Sequence, residues 1–233
     1  MQAEGKVVEL ILMDGLSAAR ISCPPRLIPP PGGYLLAHNP SSDSPLATTI
    51  FRAGFFGDSH GMEEDSFLIA PPTPESWTLG TRLYLRGPLG HGFAMPATAR
   101  RIALAAYDSS PRRLLALLDA AFKQEAEVTL VCENQPDDLP LQVEVQPLRA
   151  LAEVCSWADY LAVDAVRESI PSLKQILGKI SPLKIPGQAE ILIRTPMPCG
   201  ALAQCGVCRV ELRGGAQLAC EDGPVFNLKS LTG

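Results

Sequence analysis

The chain has 233 residues, of which 46% are hydrophobic and 19% charged, and these fractions are typical of a soluble globular protein. Twenty basic against 25 acidic side chains give a net charge of −5, which argues against binding to nucleic acid or an anionic membrane. No apolar run approaches the ~18 residues of a membrane span. Acidic residues interrupt the apolar start of the chain, so we expect no secretory signal and a cytoplasmic protein.

Residues 1–97 consist of short apolar runs separated by clusters of proline, glycine and serine. The 22 prolines, about 9% of the chain against a usual ~5%, favour short strands joined by rigid turns. We predict strands at residues 7–13, 33–38, 47–51, 66–70 and 81–86. Several short strands at this spacing indicate a small antiparallel β-barrel.

Strands and helices alternate in residues 98–185. Ser110-Pro111 is typical of a helix start, and an apolar stripe at helical spacing follows it through residue 122. The predicted strands are residues 102–106, 128–132, 141–145 and 160–165, and two further helices are predicted at 148–155 and ending at 178. This alternation predicts a small parallel α/β sheet, with Cys132 and Cys155 in its core.

Four of the seven cysteines lie close together near the end of the chain. Cys199, Cys205, Cys208 and Cys220 have the spacing C-x5-C-x2-C-x11-C. In a reducing compartment, four thiolates this close predict a metal site with four sulfur ligands, either zinc or iron–sulfur. Structural zinc sites usually pair their cysteines as two close knuckles, whereas only one close pair is present here. The spacing is nearer to the plant-type ferredoxin pattern, C-x4-C-x2-C with a distant fourth cysteine.

The residues between the cysteines fit a loop that wraps a cluster. Gly200 and Gly206 each follow a cysteine, where a glycine can adopt positive φ and turn its N–H towards sulfur. Residues 209–212 have strand character, and the following Gly214-Gly215 predicts a hairpin turn. Such a hairpin would return Cys220 to the other three cysteines.

Two strings of residues resemble a known family. The cysteine loop with the tail CEDGPVF (residues 220–226) is similar to the electron-transfer subunit of dihydroorotate dehydrogenase, a ferredoxin-reductase-like flavoprotein. The string GPLGHGF (residues 87–93) resembles the GPLGxGF segment of that family's flavin barrel. The resemblance implies a Greek-key β-barrel over residues 1–97, an α/β nucleotide-binding-like domain over 98–185 and a [2Fe–2S] segment with a β-hairpin over 186–233. It also implies FAD contacts at Gly87, Pro88, Leu89, Gly90, Thr48 and Thr49.

The sequence departs from the family at two places where a nucleotide would bind. The stretch 44–50 matches the family's flavin motif but lacks the arginine that meets the FAD phosphate. The turn after the first strand of the second domain, residues 105–111, contains no glycine and places Asp108 where a pyrophosphate would lie. The sequence therefore leaves FAD binding open and argues against NAD(P)H binding.

The sequence is compatible with three functions. The leading hypothesis is an electron-transfer subunit whose [2Fe–2S] cluster exchanges electrons with a separate flavoprotein, which the resemblance identifies with a dihydroorotate dehydrogenase catalytic subunit. We expect such a chain in a hetero-oligomer, as an electron-transfer subunit of an oxidoreductase complex rather than a self-sufficient enzyme. The second is a structural or regulatory protein with a four-cysteine zinc site. The third is a complete FAD-containing reductase with a different electron donor.

Overall fold

Two six-stranded sheets and one two-stranded hairpin are present in residues 1–55, 65–107, 110–180 and 185–231, which a computed structural model describes. The first sheet is an antiparallel barrel in the N-terminal third of the chain. The second sheet is mainly parallel and carries the helices. None of the helices in the described ranges is long and apolar enough to cross a membrane.

The barrel consists of six strands whose neighbours in space are not all neighbours in the chain. Its order is β4-β3-β6-β1-β2-β5, so β3 lies beside β6 as in a Greek-key arrangement. A bridge between Arg52 and Ile69 joins β4 to β5 and closes the barrel. The strands are β1 (Gln2–Met13), β2 (Leu16–Ser22), β3 (Tyr34–His38), β4 (Thr48–Phe51), β5 (Ser66–Ile69) and β6 (Arg82–Leu89).

Strand β2 is absent from the sequence prediction, which has no strand between residues 13 and 33. The signal for it is the dipeptide Asp14-Gly15, where both residues have positive φ (52° and 76°). Asp-Gly with this conformation is the favoured two-residue connection of a β-hairpin. Strands β1 and β2 accordingly pair in antiparallel register from Met13↔Leu16 back to Lys6↔Ser22.

The second sheet has five parallel strands and one antiparallel edge strand. Its order is β9-β8-β7-β10-β11-β14, with β14 antiparallel to β11. Both β11 and β14 come from the segment predicted as a separate cluster-binding unit, so that segment is part of the sheet. The strands are β7 (Arg101–Ala106), β8 (Glu127–Val131), β9 (Val143–Gln146), β10 (Tyr160–Val166), β11 (Gln188–Arg194) and β14 (Val225–Asn227).

The helix predicted from Ser110-Pro111 is two short helices. The run of leucines at residues 114–118 is buried on all sides rather than on one stripe, so packing determines the path of the chain there more than helical periodicity does. The helices are α1 (Arg112–Leu115), α2 (Leu118–Lys123), α3 (Leu151–Trp157) and α4 (Ile170–Leu177).

One continuous core joins the barrel, the sheet and the cysteine segment. Tyr34 and Phe51 of the barrel belong to the same buried cluster as Cys208, Cys220 and strand β10. The hairpin predicted after Cys208 is present as β12 (Arg209–Leu212) and β13 (Gly215–Leu218). The predicted fold class, an antiparallel barrel followed by a small parallel α/β sheet and a cysteine loop with a hairpin, is confirmed.

Candidate metal centre and the neighbouring crevice

The four clustered cysteines lie at one end of the β12–β13 hairpin. Cys208 immediately precedes β12 and Cys220 follows β13 by one residue, and the Ala219 N–H donates to the Cys208 carbonyl over 3.0 Å. This hydrogen bond extends the ladder of the hairpin to the two cysteines. Cys199 and Cys205 lie on the loop that connects β11 to β12.

The four sulfur atoms form a connected row. The Sγ atoms of Cys199 and Cys205 are 3.5 Å apart, and those of Cys208 and Cys220 are 3.1 Å apart. The thiols of Cys199 and Cys220 also interact electrostatically, so the two pairs are neighbours. Within the described ranges, no three histidine, cysteine or carboxylate side chains have the geometry of a finished metal site. The hairpin and the loop nevertheless bring all four predicted ligands together, and four thiols are a donor set that suits zinc or iron–sulfur.

Burial and hydrogen bonding give the thiols different acidities. Burial raises the pKa of the Cys220 thiol to about 12, and its hydrogen bond with Cys208 acts in the same direction. Burial acts to raise the pKa of Cys199 as well, but hydrogen bonds with the Ala203 backbone, Cys205 and the Ala201 backbone outweigh it and lower the pKa to about 7. Cys199 is therefore more readily ionised to a thiolate than Cys220 is.

Backbone conformation directs N–H groups towards the sulfurs. Gly200 and Ala201 both have positive φ (50° and 67°), and the Ala201 backbone hydrogen-bonds to both Cys199 and Cys220. Gly206 also has positive φ, with open space where a Cβ would lie. Backbone donors of this kind stabilise the negative charge of thiolates and of a cluster that they hold. The two glycines after cysteines are thus in the conformation that the sequence predicts.

Two barrel residues hold this loop, and the sequence analysis did not identify either one. Arg86 donates to the carbonyl of Cys199 over 2.9 Å and also to that of Gly200. The Tyr34 hydroxyl donates to the Cys220 carbonyl over 3.2 Å. Both lie more than 110 residues from their partners in the chain, so no local spacing could have revealed them. The only signal is the position of Arg86, directly before the GPLGHGF string.

The residues predicted to contact FAD lie on the barrel, on two strands separated by β3. Thr48 and Thr49 are the first two residues of β4, where they pair with Ala37 and Leu36. Gly87, Pro88 and Leu89 end strand β6, and Gly90 follows it. The fold thus brings both predicted FAD segments to one side of the barrel.

The GPLGHGF string packs against the CEDGPVF tail. The His91 N–H donates to the Gly223 carbonyl over 2.6 Å, and the His91 ring Nδ1 lies 3.1 Å from the Asp222 carbonyl. Gly90 has φ of 69°, and a Cβ there would lie 2.5 Å from Pro224 Cδ. The two strings that carry the family resemblance therefore form one contact, in which Gly90 permits the close approach.

The barrel contacts the parallel sheet at the carboxyl ends of β7 and β10, and we call this boundary the crevice. In open α/β sheets, ligands bind outside the carboxyl ends of the strands, where the strand order reverses. Here the crevice contains the fully buried carboxylate of Asp164 on β10. Arg194 Nε lies 2.6 Å from Asp164 Oδ1, and Arg113 Nη1 lies 3.4 Å from Oδ2. Arg113 also donates to the Pro71 carbonyl over 3.0 Å, and its Cζ lies 5.8 Å from the centroid of the Phe51 ring.

A second buried arginine joins the tip of the barrel hairpin to helix α1. Arg112 is 3% exposed and donates to Asp14 Oδ1 over 2.7 Å and to Asp138 Oδ2 over 2.7 Å. Burial acts to raise the pKa of Asp14, but hydrogen bonds from Arg112 and Ser110 outweigh it and lower the pKa below 3.8. The two carboxylates thus stabilise the buried guanidinium, and the network links both domains.

The backbone after β4 lies directly on helix α1. The Gly54 N–H donates to the Arg112 carbonyl over 2.7 Å, and a Cβ on Gly54 would overlap the backbone of Leu115. Arg52 Nη2 lies 3.5 Å from Asp119 Oδ2. Among the described residues of the crevice, the four arginines (Arg52, Arg112, Arg113 and Arg194) are each paired with a carboxylate. The predicted charge at Asp108 lies outside the described residues.

An apolar groove of about 670 Å³ lies beside Cys199 on the outer face of the barrel. Its walls include Leu46, Tyr84 and Leu202, which are 62%, 53% and 74% exposed. Arg86 and Cys199 also line it. The groove therefore leads from solvent to a predicted ligand cysteine.

The other three cysteines are packing residues. Cys23, Cys132 and Cys155 are at most 4% exposed, and burial raises the pKa of each thiol to about 11. The prediction that Cys132 and Cys155 belong to the core is confirmed.

The chain is similar to known proteins in its C-terminal segment and in its fold. Residues 195–232 match the family model of the iron–sulfur cluster binding domain of dihydroorotate dehydrogenase B. An NADH-dependent reduced ferredoxin–NADP oxidoreductase is similar over 98% of this chain and 89% of its own, with 14% identity and a TM-score of 0.71. Phthalate dioxygenase reductase, which transfers electrons from pyridine nucleotides to [2Fe–2S], is similar over 98% and 96%, with 11% identity and a TM-score of 0.58.

A third similar structure is a ferredoxin–NADP+ reductase from Neisseria gonorrhoeae with bound FAD and NADP. It is similar over 82% of this chain and 98% of its own, with 12% identity and a TM-score of 0.57. At these identities the likeness concerns the fold. The predicted resemblance is confirmed: the chain has a divergent ferredoxin-reductase fold, and its C-terminal segment is similar to the iron–sulfur cluster binding domain of dihydroorotate dehydrogenase B.

Proposed function

We propose that the protein is an electron-transfer subunit that holds one [2Fe–2S] cluster on Cys199, Cys205, Cys208 and Cys220. The observation that carries this proposal is the row of four sulfurs, which the hairpin and the Gly200–Ala201 turn assemble inside the segment that matches the iron–sulfur domain. A cluster of this type supplies reversible one-electron transfer. The chain holds it, directs backbone N–H groups at its sulfurs and keeps it near the surface.

The distribution of burial supports exchange with an external partner. Cys208 and Cys220 are buried, whereas Cys205 is exposed and Cys199 is half-buried. One side of the site therefore faces the protein core and the other faces solvent. A redox partner can approach the exposed side, next to which the apolar groove offers Leu46, Tyr84 and Leu202 for contact.

The crevice supports the further proposal that the chain does not take hydride from NAD(P)H. A pyrophosphate needs backbone N–H groups that it can approach and cations that are free to meet it. In the described crevice, Gly54 lies on the backbone of α1 and the arginines already meet carboxylates. The same pairing opposes an FAD pyrophosphate, so the residues described here do not fit a dinucleotide.

The partner that we propose is a separate catalytic flavoprotein of the dihydroorotate dehydrogenase type, in a hetero-oligomer. The support for it is the match of residues 195–232 together with the groove beside Cys199. A role in pyrimidine synthesis follows if this partner is correct. Co-expression with such a catalytic subunit and purification on one tag should yield both chains, and their failure to associate would contradict this part of the proposal.

One experiment tests the central proposal. The protein is purified without oxygen, its visible spectrum is recorded, and iron, labile sulfide, zinc and released flavin are measured. We expect two irons and two sulfides per chain and no flavin. A colourless protein with one zinc would overturn the proposal and favour a structural or regulatory role. Two irons together with FAD would keep the cluster and favour a complete reductase.

A further inference from the structure

Arg86 is the only described arginine whose side chain contacts the cysteine loop from the barrel. It lies on β6, between β3 and β1, where it pairs with Leu36 and Gln2. Two neighbouring strands therefore fix its backbone. Its half-buried side chain crosses to the loop and donates to the carbonyls of Cys199 and Gly200.

The Gly200 carbonyl belongs to the same peptide group as the Ala201 N–H, which faces Cys199 and Cys220. The peptide bond between Gly200 and Ala201 places its C=O and its N–H on opposite sides. Its C=O accepts from Arg86, and its N–H belongs to the Ala201 backbone hydrogen bonds with Cys199 and Cys220. Arg86 therefore holds this peptide in the orientation that presents the N–H to two of the four sulfurs.

The loop is shaped to admit the guanidinium. Gly200 is buried, and a Cβ on it would overlap Arg86 Nη2 and lie 2.6 Å from Leu36 Cδ1. Both Gly200 and Ala201 have positive φ, a conformation that is strained for a non-glycine residue such as Ala201. A charge-assisted hydrogen bond to each of two carbonyls is a contact strong enough to keep the turn in place.

We propose that Arg86 is the positioning residue that sets the reduction potential of the cluster. This inference rests on the proposed function. Arg86 acts in two ways, and both stabilise the reduced state, which carries one more negative charge. It fixes the N–H that donates to Cys199 and Cys220, and it places a positive charge beside Cys199. Hydrogen bonds to sulfur and net charge are two of the factors that set such potentials.

The test compares three variants of the full chain. Arg86→Gln removes the charge, whereas Arg86→Lys keeps the charge but replaces the rigid planar guanidinium, whose Nη2 meets both carbonyls, with a flexible ammonium. The matched control is Arg82→Gln, which removes an exposed arginine from the same face of the same strand. Arg82 is four residues before Arg86, which is about 13 Å along a strand. At moderate salt, surface charges more than ~8–10 Å apart are largely screened from each other, so the charge of Arg82 should have little effect at the cysteines.

The reduction potential of each purified chain is measured by spectroscopic titration. We expect Arg86→Gln to lower the equilibrium constant for reduction about tenfold, which is ~59 mV for one electron. We expect Arg86→Lys to fall between this variant and the wild type, and Arg82→Gln to match the wild type. An unchanged potential in Arg86→Gln, or an equal shift in Arg82→Gln, would overturn the inference.

If Arg86→Gln fails to retain two irons, hydrogen exchange tests whether Arg86 holds the Gly200–Ala201 peptide in place. In the chains without cluster, we expect faster exchange of the amides in residues 199–203 of the variant, with the exchange of barrel strands unchanged. Equal exchange in residues 199–203 would overturn the inference. A wild-type chain that holds no iron would instead contradict the proposed function itself, so the two failures are distinguishable.

Discussion

The cysteine loop and the crevice are the two places where this fold would hold a cofactor, and they differ in how their polar groups are used. In the loop, residues 201–207 are exposed, and backbone donors point at thiols. In the crevice, buried arginines and carboxylates of the protein bind one another. Backbone N–H groups in the loop are thus directed at a ligand site, whereas the charges of the crevice serve to join the two domains.

This difference teaches that a fold alone does not define its cofactors. The similar reductase with bound FAD and NADP has the same fold at 12% identity. On one fold, the side chains at the boundary determine whether its charged groups bind one another or a ligand. In this chain the boundary includes a buried Arg112 between two carboxylates and a glycine, Gly54, that lets the barrel backbone reach α1.

The largest effect that we predict is the loss of the cluster from Cys205→Ser. Cys205 is the exposed member of the row, so its replacement removes a ligand without leaving a cavity in the core. A serine hydroxyl is a poor substitute for a thiolate ligand of iron. We expect the visible absorption to disappear and bound iron to fall to background, measured by spectrum and metal analysis on protein that stays folded by circular dichroism.

The matched control is Cys155→Ala. Cys155 lies on the buried face of helix α3 and is not one of the four cysteines of the row, so we expect full iron content at some cost in stability. Equal loss of iron from both variants would show that the four ligands are misassigned.

The second prediction tests the closed crevice through Arg112→Met. Removal of the guanidinium leaves the carboxylates of Asp14 and Asp138 without their buried cation, and a broken buried pair typically costs about 3–5 kcal/mol. We expect a fall of that size in the free energy of unfolding, measured by urea denaturation.

Arg101→Met is the control for this variant. Arg101 pairs with Asp159 over 2.6 Å, but both side chains are largely exposed. Exposed ion pairs contribute little to stability, so this variant should be nearly as stable as the wild type. Similar losses from both variants would show that the crevice network is no more important than a surface ion pair.

The third prediction concerns the contact between the two motif strings. In Gly90→Ala the new Cβ would lie 2.5 Å from Pro224 Cδ and 2.7 Å from the Gly223 carbonyl oxygen. Crowding of this kind costs about 1–3 kcal/mol in addition to the strain of positive φ. Gly15→Ala has the same kind of φ but no neighbour within 4 Å, so it isolates the strain. We expect Gly90→Ala to lower the free energy of unfolding more than Gly15→Ala does, and equal losses would contradict the packing argument.

The sequence predicts local structure better than it predicts contacts between distant residues. Short apolar runs and turn residues identify five barrel strands, and the spacing of Cys199, Cys205, Cys208 and Cys220 identifies the row of sulfurs. The chain around each of these features is short enough for local chemistry to determine it. The dipeptide Asp14-Gly15 is a local signal of the same kind, because Asp-Gly is a favoured two-residue turn of a β-hairpin.

The contacts of Arg86, Arg112 and Arg113 are different in kind. Their partners lie between 26 and 114 residues away in the chain, and an arginine in a strand or helix looks like a surface residue until the fold is known. The closed crevice illustrates this limit. The sequence indicates that glycines are missing from residues 105–111, but it does not show that the barrel provides carboxylate and carbonyl partners for the arginines of this boundary.

The smallest effect that we predict is a pH dependence that belongs to Asp14. Burial acts to raise its pKa, but hydrogen bonds from Arg112 and Ser110 hold it below 3.8, the value expected in the unfolded chain. A carboxyl whose pKa is lower in the folded state contributes stability above the unfolded value, and this contribution is lost as the pH falls through the folded pKa. We therefore expect the difference in free energy of unfolding between the wild type and Asp14→Asn to be constant near neutral pH and to shrink below about pH 4. Other carboxylates also titrate in this range; the pKa of Asp159, for example, is lowered by its hydrogen bond with Arg101. Because these groups are present in both proteins, their titration cancels in the difference.

Urea denaturation between pH 3 and pH 7 measures the difference in the free energy of unfolding. A difference that does not change over this range would show that Asp14 does not stabilise the crevice through its charge.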